Sequence, residues 1–364
     1  MGIRIAITDL KPGMYIVDLE EKHGGDASIF SVEGYVMSAR EISNLQRQGF
    51  KTAYVDPVRS HLSSCEPEPD WMLHEFNLLS PDTTIQPRPV AYRDEYEHAQ
   101  KLQTESSDIT RLIATAVLSD TDLPLPPIRS FLSSIVDSVA RHESPLLSLG
   151  KLKKHEDPIF AHNLNVCILV VALGRQMYIK PEYIQDLALA GLLHDIGKLF
   201  VDKAVLNFQG KLNAEQLREV QSHVSRGYGF LTAHQELPRM TLDGVLDHHE
   251  RYGGMGYPNL KAGSSISFTG RLLAVADVYD ALSSRRSYRN PLSPSQALSI
   301  MYGDRQQDYS PGFIEALIDI LGIYPPGSLV ALSNQQTGVV IESNADGALH
   351  ALFRMSHSRP LPTR

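Results

Sequence analysis

At 364 residues, with 42% hydrophobic and 21% charged, the chain is long enough for about two domains and too apolar to stay unfolded. Its formal charge of −8 argues against non-specific binding of duplex nucleic acid, so an anionic ligand would need locally concentrated positive charge. Two cysteines, Cys65 and Cys167, cannot form a disulfide framework or a Cys-rich zinc site. The start, Met1-Gly2-Ile3-Arg4-Ile5, lacks the basic flank and apolar core of a signal peptide. The best apolar run, Val166 to Leu173, is too short to cross a bilayer. A cytoplasmic protein without membrane insertion is therefore expected, with Cys167 in the core.

Residues 1–60 read as a small α+β domain. Ile3, Ile5 and Ile7 alternate as in a strand, Lys11-Pro12-Gly13 is a turn, and Met14 to Val17 is a second strand. Ser38 can cap a helix from Ala39 to Gln48 that Gly49 ends, and Thr52 to Val55 is a further strand. Residues 61–127 read as a proline-rich linker followed by a charged, exposed helix from Tyr92 to Leu118. Residues 128–325 are helical almost throughout, with helices expected at 128–141, 160–177, 181–194, 214–229, 239–248, 268–283, 294–303 and 311–321. After Tyr324-Pro325-Pro326-Gly327, residues 326–364 read as a short β appendage and tail, with strands at 330–332, 338–342 and 349–353. The fold class is mainly α.

Six of the fourteen histidines fall between residues 162 and 249. His194-Asp195 and His248-His249 are adjacent pairs, and His162, His223 and Asp277 are single. Any one alone reads as a core or capping residue; the set does not. Imidazole and carboxylate suit Fe, Mn or Zn. Adjacent residues on a helix point about 100° apart, so a His-Asp pair can face two ions with the carboxylate between them. Seven candidate ligands exceed one mononuclear shell and suit two metals. His142, His155 and His234 lack such context and read as surface or linker residues.

Leu192-Leu193-His194-Asp195-Ile196-Gly197-Lys198 resembles the HD motif of metal-dependent phosphohydrolases. His248-His249-Glu250-Arg251-Tyr252-Gly253-Gly254-Met255-Gly256-Tyr257-Pro258 resembles the HHExxDGxGYP signature of the HD-GYP subfamily, bacterial cyclic-di-GMP phosphodiesterases. The likeness continues around His162, through Ala276-Asp277-Val278-Tyr279-Asp280, and in Arg286-Ser287-Tyr288-Arg289. Leu10 to Ile16 is similar to a small uncharacterised domain found before HD-GYP modules.

The resemblance implies an all-helical HD-type domain and places the same seven residues around metal. His162, His194, Asp195 and Asp277 would hold one ion, and His223, His248 and His249 the other, with Asp195 bridging. A third-metal glutamate of some members is replaced here by Pro158. The implied cofactors are two divalent ions per chain, Fe or Mn. The implied reaction is hydrolysis of cyclic-di-GMP to pGpG, with onward cleavage to GMP left open, by a two-metal-activated hydroxide. Asp195 and Lys198 would be catalytic, and Lys198, Arg286 and Arg289 would grip the substrate; surface ion pairs are the plainer reading of these cations. Glu250, Gly254, Gly256, Tyr257 and Pro258 would form a loop bordering the site, on which a diguanylate cyclase or other signalling protein could dock, and a homodimer is compatible.

Gly253 replaces the signature aspartate, Val224 a common proline, and Arg285 a common aspartate. None is a ligand. The change at Gly253 motivates an alternative, a slow or inactive cyclic-di-GMP sensor. A third reading is an HD hydrolase for a mononucleotide or another cyclic dinucleotide.

Overall fold

A computed structural model describes residues 3–10, 14–20, 34–36, 50–56, 90–152, 158–177, 179–234, 236–284, 291–305, 307–322, 324–331, 337–342 and 352–355, together with Ile42, Leu45 and Gln46. The chain divides into two compact units, residues 1–84 and 85–364.

The first unit is an antiparallel sheet of β1 (Ile3–Ala6), β2 (Tyr15–Glu20), β3 (Gly34–Tyr35) and β4 (Thr52–Asp56), in the order β1-β4-β2-β3. Ile3 pairs with Val55 and Ala6 with Thr52, which sets the β1–β4 register. Ile7, Leu10, Ile16, Val36, Ala53 and Val55 form its core with Ile42 and Leu45. Ile42, Leu45 and Gln46 are helical; the rest of the helix expected at 39–48 and the 11–13 turn lie outside the described residues. Strand β3 is only two residues long and carries no periodic signal. Residues 57–89, which include most of the expected linker, also lie outside the described set.

The second unit begins with α1 (Tyr92–Leu118), α2 (Leu125–Arg141) and α3 (Glu143–Leu152). The exposed helix expected at 92–118 is instead packed against α2 and α3. Its buried positions include Ala99, Leu102, Ser106, Ile109, Ile113 and Ala116. These recur at helical spacing, but small and polar members hide the stripe among charges. Glu95 is 2% exposed and is held by Arg141, which donates Nε–H at 2.7 Å and Nη2–H at 2.9 Å, and by Ser138 Oγ–H at 2.6 Å. Burial pushes the Glu95 carboxyl up, but the hydrogen bonds from Arg141 and Ser138 outweigh it and hold the carboxyl below its ordinary 4.5.

Glu95→Ala is expected to destabilise the helical unit by about 2 kcal/mol. That is below the cost of breaking a fully buried pair, because Arg141 keeps 30% of its side chain exposed and can rehydrate. A depressed carboxylate stabilises above its unfolded pKa. The gap in denaturation midpoint between parent and variant should therefore be full at neutral pH and close as pH falls below 4.5, through the lower folded value.

The centre is α4 (Pro158–Gln176) crossing α5 (Pro181–Leu193). Both are buried nearly all round, which is why their apolar runs are continuous. A Cβ on Gly191 would lie 2.7 Å from Cys167 Cα, so the glycine lets the two backbones meet. Cys167 is buried, and its thiol is pushed up to about 12 by burial. The 18 residues Ile159–Gln176 have a mean hydropathy of 1.3, longer than the apolar run read from the sequence, but 78% of that window is covered by protein.

The short α6 (Lys203–Leu206) is followed by α7 (Ala214–Gln221), α8 (His223–His234), α9 (Arg239–Asp247), α10 (Phe268–Ser283), α11 (Pro294–Gly303) and α12 (Phe313–Leu321). The helix expected at 214–229 is two helices. Asn213 and Gln216 form a capping box at the start of α7, which ends at Gln221, and after the single residue Ser222 His223 opens α8. The helix expected from 311 begins at Phe313, because Gly312 adopts φ 82°. Strands β5 (Leu329–Ala331), β6 (Thr337–Glu342) and β7 (Leu352–Met355) form an antiparallel sheet in that order; residues 349–351 of the last expected strand lie outside the described residues. Two histidines left without context do make contacts: His142 Nε2 lies 2.9 Å from Glu342 on β6, and His234 Nε2 lies 3.0 Å from Asp120. His155 lies outside the described residues.

Candidate metal centre

Three histidines are delivered by one local device. His194, His223 and His248 each follow the end of a helix, where the last carbonyls have no intrahelical partner. The Nδ1–H of each donates to the carbonyl three residues back: His194 to Gly191 at 2.8 Å, His223 to Val220 at 2.7 Å, and His248 to Val245 at 2.8 Å. That contact fixes the tautomer and turns each Nε2 lone pair inward. His162, on α4, donates Nδ1–H to Asp280 at 2.7 Å and presents Nε2 to Asp277 Oδ1 at 2.9 Å.

Asp195 stands in the middle. Its Oδ1 lies 3.2 Å from His223 Nε2 and 3.8 Å from His248 Nε2; its Oδ2 lies 3.5 Å from His194 Nε2 and 3.7 Å from His162 Nε2. Two sets of ligand atoms result, each within 4.8 Å of one another: Asp195, His223, His248 and His249, and His162, His194 and Asp195. Asp277 reaches toward both sides, with Oδ1 on His162 and Oδ2 at 3.6 Å from His249 Nδ1. All seven side chains singled out in the sequence are thus gathered in one place, and six of them are buried residues; His249 is the more open, with 18% of its side chain exposed.

The donor chemistry fits a cation. His223 Nε2 and His248 Nε2 sit 3.4 Å apart, both facing Asp195 Oδ1, and with Nδ1 protonated none of these atoms has a hydrogen to offer. Among the described residues, His194 Nε2 and Asp195 Oδ1 are buried without a hydrogen-bond partner. Such a cluster of acceptors costs several kcal/mol unless positive charge fills it. Protonation points the same way. Burial, reinforced by neighbouring imidazoles, holds His248 far below its ordinary value, and burial takes His249 down to about 3. Burial opposes ionisation of Asp195 and Asp277, yet Lys198 and His194 beside the first and His162 beside the second keep both well below the carboxylate range. Neutral imidazoles and ionised carboxylates are the forms that bind metal. His162 is the exception. Burial lowers it, but its bonds to Asp277 and Asp280 win and bring it up to about 9.

The comparisons with known proteins agree with this chemistry. An HD domain model matches residues 144–312, and a domain of unknown function (DUF3391) matches residues 2–123. The cyclic di-GMP phosphodiesterase PA4108 of Pseudomonas aeruginosa is 30% identical over 353 residues, covering 95% of this chain and 83% of that protein. The chain belongs to the HD-GYP family of metal-dependent phosphohydrolases. The 3'3'-cGAMP-specific phosphodiesterase 3 of Vibrio cholerae is 33% identical over 210 residues, 57% of this chain and 45% of that one. An HDG"Y"P protein from Bdellovibrio bacteriovorus shares the fold, with a TM-score of 0.53 at 15% identity over 88% of this chain and 99% of that one.

In this HD-GYP protein the HD motif does not continue a helix. Helix α5 stops at Leu193, and Ile196–Phe200 is a 3₁₀ turn. Residues three apart eclipse in such a turn, so Lys198 Nζ still comes down onto Asp195 Oδ2. Lys198 keeps 16% of its side chain exposed. Arg286 and Arg289 lie outside the described residues.

The loop after His249 is tied at both ends. Glu250 is 1% exposed and accepts the amides of Asn259 at 2.7 Å and Lys261 at 3.0 Å. Asp247 grips Lys261 Nζ at 2.7 and 3.0 Å. Gly254 adopts φ +80°, and a Cβ on Gly256 would lie 2.3 Å from the Arg251 nitrogen, so both need glycine. The Tyr257 ring stacks on His249 with centroids 4.7 Å apart, next to Pro258. Burial pushes the Tyr257 phenol up.

Sequence reading gave no role to Asp280, Asp247 or Lys261. Asp280 was within reach of it: it lies three residues after Asp277 on α10, hence on the same face. Its Oδ1 also accepts from Asn165 at 3.0 Å and Ser284 at 2.8 Å. Asp280→Ala removes the acceptor that orients His162, and is expected to weaken metal binding by about 10–100-fold in a competition titration against a chelator.

Proposed function

We propose that the chain hydrolyses cyclic-di-GMP to linear pGpG at a two-metal site in which Asp195 bridges. One ion would be held by His162, His194 and Asp277, the other by His223, His248 and His249, and Fe or Mn matches the imidazole–carboxylate donors. The observation that carries this reading is the acceptor cluster around Asp195, with two donor sets sharing one carboxylate. The match to PA4108 along 95% of the chain supports the substrate.

Divalent ions bound there would supply positive charge to the phosphate oxygens and acidify a water. The residues do the rest. Carbonyl-bound Nδ1–H groups hold the imidazoles in one tautomer, so no reorganisation is needed as charge develops. Lys198 Nζ sits on the buried Asp195 Oδ2 while its own side chain stays partly exposed, so it can neutralise a phosphate oxygen and hand a proton to the departing 3'-oxygen. Water then adds across the P–O3' bond: hydroxyl to phosphorus, proton to the ribose oxygen. Arg286 and Arg289 are assigned to the substrate phosphates or guanines, for which a guanidinium fork is suited. Onward cleavage to GMP, a homodimer and a cytoplasmic site of action belong to the same reading. So does docking of a signalling protein on the GYP loop, where Met255 and Leu260 are exposed.

The test is the purified full chain, loaded with Mn or Fe, incubated with cyclic-di-GMP and with 3'3'-cGAMP, the products being separated by chromatography. pGpG from the first, absent with His194→Ala, supports the proposal. Cleavage of 3'3'-cGAMP alone would transfer it to the other cyclic dinucleotide. Tight binding without product favours the sensor reading that Gly253 motivates.

A further inference from the structure

The one residue at which this chain leaves the GYP signature sits in a three-way backbone stitch. The Gly253 amide donates to the Gln307 carbonyl at 2.8 Å, and the Tyr252 amide to the Asp308 carbonyl at 3.1 Å. The Tyr252 carbonyl accepts the Gly263 amide at 2.8 Å. The loop entry at 252–253 is thereby joined on one side to the turn between α11 and α12, and on the other to the loop exit. The Arg251 guanidinium lies 5.8 Å over the ring of Tyr309 in the same turn. A Cβ on residue 253 would lie 2.8 Å from the Gln307 carbonyl oxygen, the atom that accepts its own amide. That oxygen is backbone and cannot rotate aside, so any side chain here forces the two segments apart.

We propose that Gly253 is a positioning residue: by lacking a side chain it lets the GYP loop pair with the Gln307–Asp308 turn, and this pairing holds Tyr257 against His249 without a carboxylate at position 253. The rest of the path from brace to site is short. Gly254 donates its amide to the Arg251 carbonyl at 2.7 Å, and Tyr257 donates its amide to the His249 carbonyl at 3.1 Å. Loosening residues 252–253 therefore frees the segment that carries the ring stacked on His249. The consequence runs against the family pattern: restoring the aspartate harms this protein, and alanine harms it equally, because the conflict arises at Cβ.

The inference uses the phosphodiesterase reading only for its turnover measurement. Full-length Mn-loaded parent, Gly253→Asp and Gly253→Ala are compared by hydrogen–deuterium exchange over 250–257 and 303–310, by thermal midpoint, and by kcat and KM on cyclic-di-GMP. Both variants are expected to exchange about tenfold faster in both segments with little change in global midpoint. Both should lose kcat by a similar factor, about tenfold, with KM nearly unchanged. Gly253→Asp at or above the parental rate while Gly253→Ala falls below it would overturn the proposal, because the carboxylate's chemistry would then be what was missing. Unchanged exchange in both segments of both variants would overturn it as well. A parent without turnover would sink the functional reading, and the exchange data would then decide the proposal alone.

Discussion

Asp195→Ala should leave the protein nearly free of metal and lower its turnover by about three orders of magnitude or more. Among the described residues Asp195 is the member common to both donor sets: one carboxylate oxygen faces His223 and His248, the other faces His194 and His162. Losing it removes one ligand from each set at once, whereas losing His162 or His248 thins one set. It also leaves the Lys198 ammonium without its partner at the mouth of the site, and an unpaired cation there opposes binding of another. Elemental analysis of protein purified without a His tag is the direct readout, with close to two ions per chain expected for the parent. Asp195→Asn separates charge from shape: it keeps the volume, loses the charge, and should lose metal nearly as fully. An Asp195→Ala protein that keeps its full metal complement would show that the bridging assignment is wrong.

Gly197→Ala is expected to be the most damaging single-methyl change in the helical unit. A Cβ there would lie 1.9 Å from the His223 carbonyl oxygen and 2.6 Å from the Gly227 amide nitrogen. These are backbone atoms at the start of α8, so relief requires moving the helix that carries His223. Overpacking of this kind costs about 3 kcal/mol. At about 2–4 °C per kcal/mol for a body of this size, the thermal midpoint should fall by about 6–12 °C. Because His223 itself must shift, metal affinity should fall with stability. The control is Gly229→Ala, two residues beyond Gly227 on the same helix. Gly229 is exposed, and among the described residues nothing lies within 4 Å of its Cβ position. That change should stabilise by about 0.5–1 kcal/mol, the ordinary gain of alanine over glycine in a helix. Equal midpoints for the two variants would show that α8 is not packed on the HD turn as described.

Several features were legible from short-range signals. The adjacent His-Asp and His-His pairs marked the chemistry, because imidazole and carboxylate at that density have few other uses. Helix α10 begins and ends where its pattern says, with Ser267 accepting the Gly270 amide at its start. The Ser293–Gln296 capping box, with Pro294 next to it, does the same for α11. In these cases the deciding contact is within four residues of the boundary. Where the contact is remote, the reading failed. Helix α1 looked exposed because its charges are local, while the Arg141 that takes up Glu95 is 46 residues away. Ser222 breaks a pattern that reads as one helix.

What the sequence determined by itself was the reagent list and most helix limits: which side chains carry lone pairs, which caps start a helix, which glycines and prolines interrupt one. What only the tertiary structure decided was which lone pairs face one another. His162 and Asp280 are 118 residues apart, and Asp277 divides between His162 and His249 rather than serving one group. Gly253 reads as a lost carboxylate until Gln307 is seen beside it. The physical reason is range. Capping and periodicity act within a turn or two of backbone, whereas the approach of two distant segments depends on the shapes of everything packed between them, which no local pattern encodes.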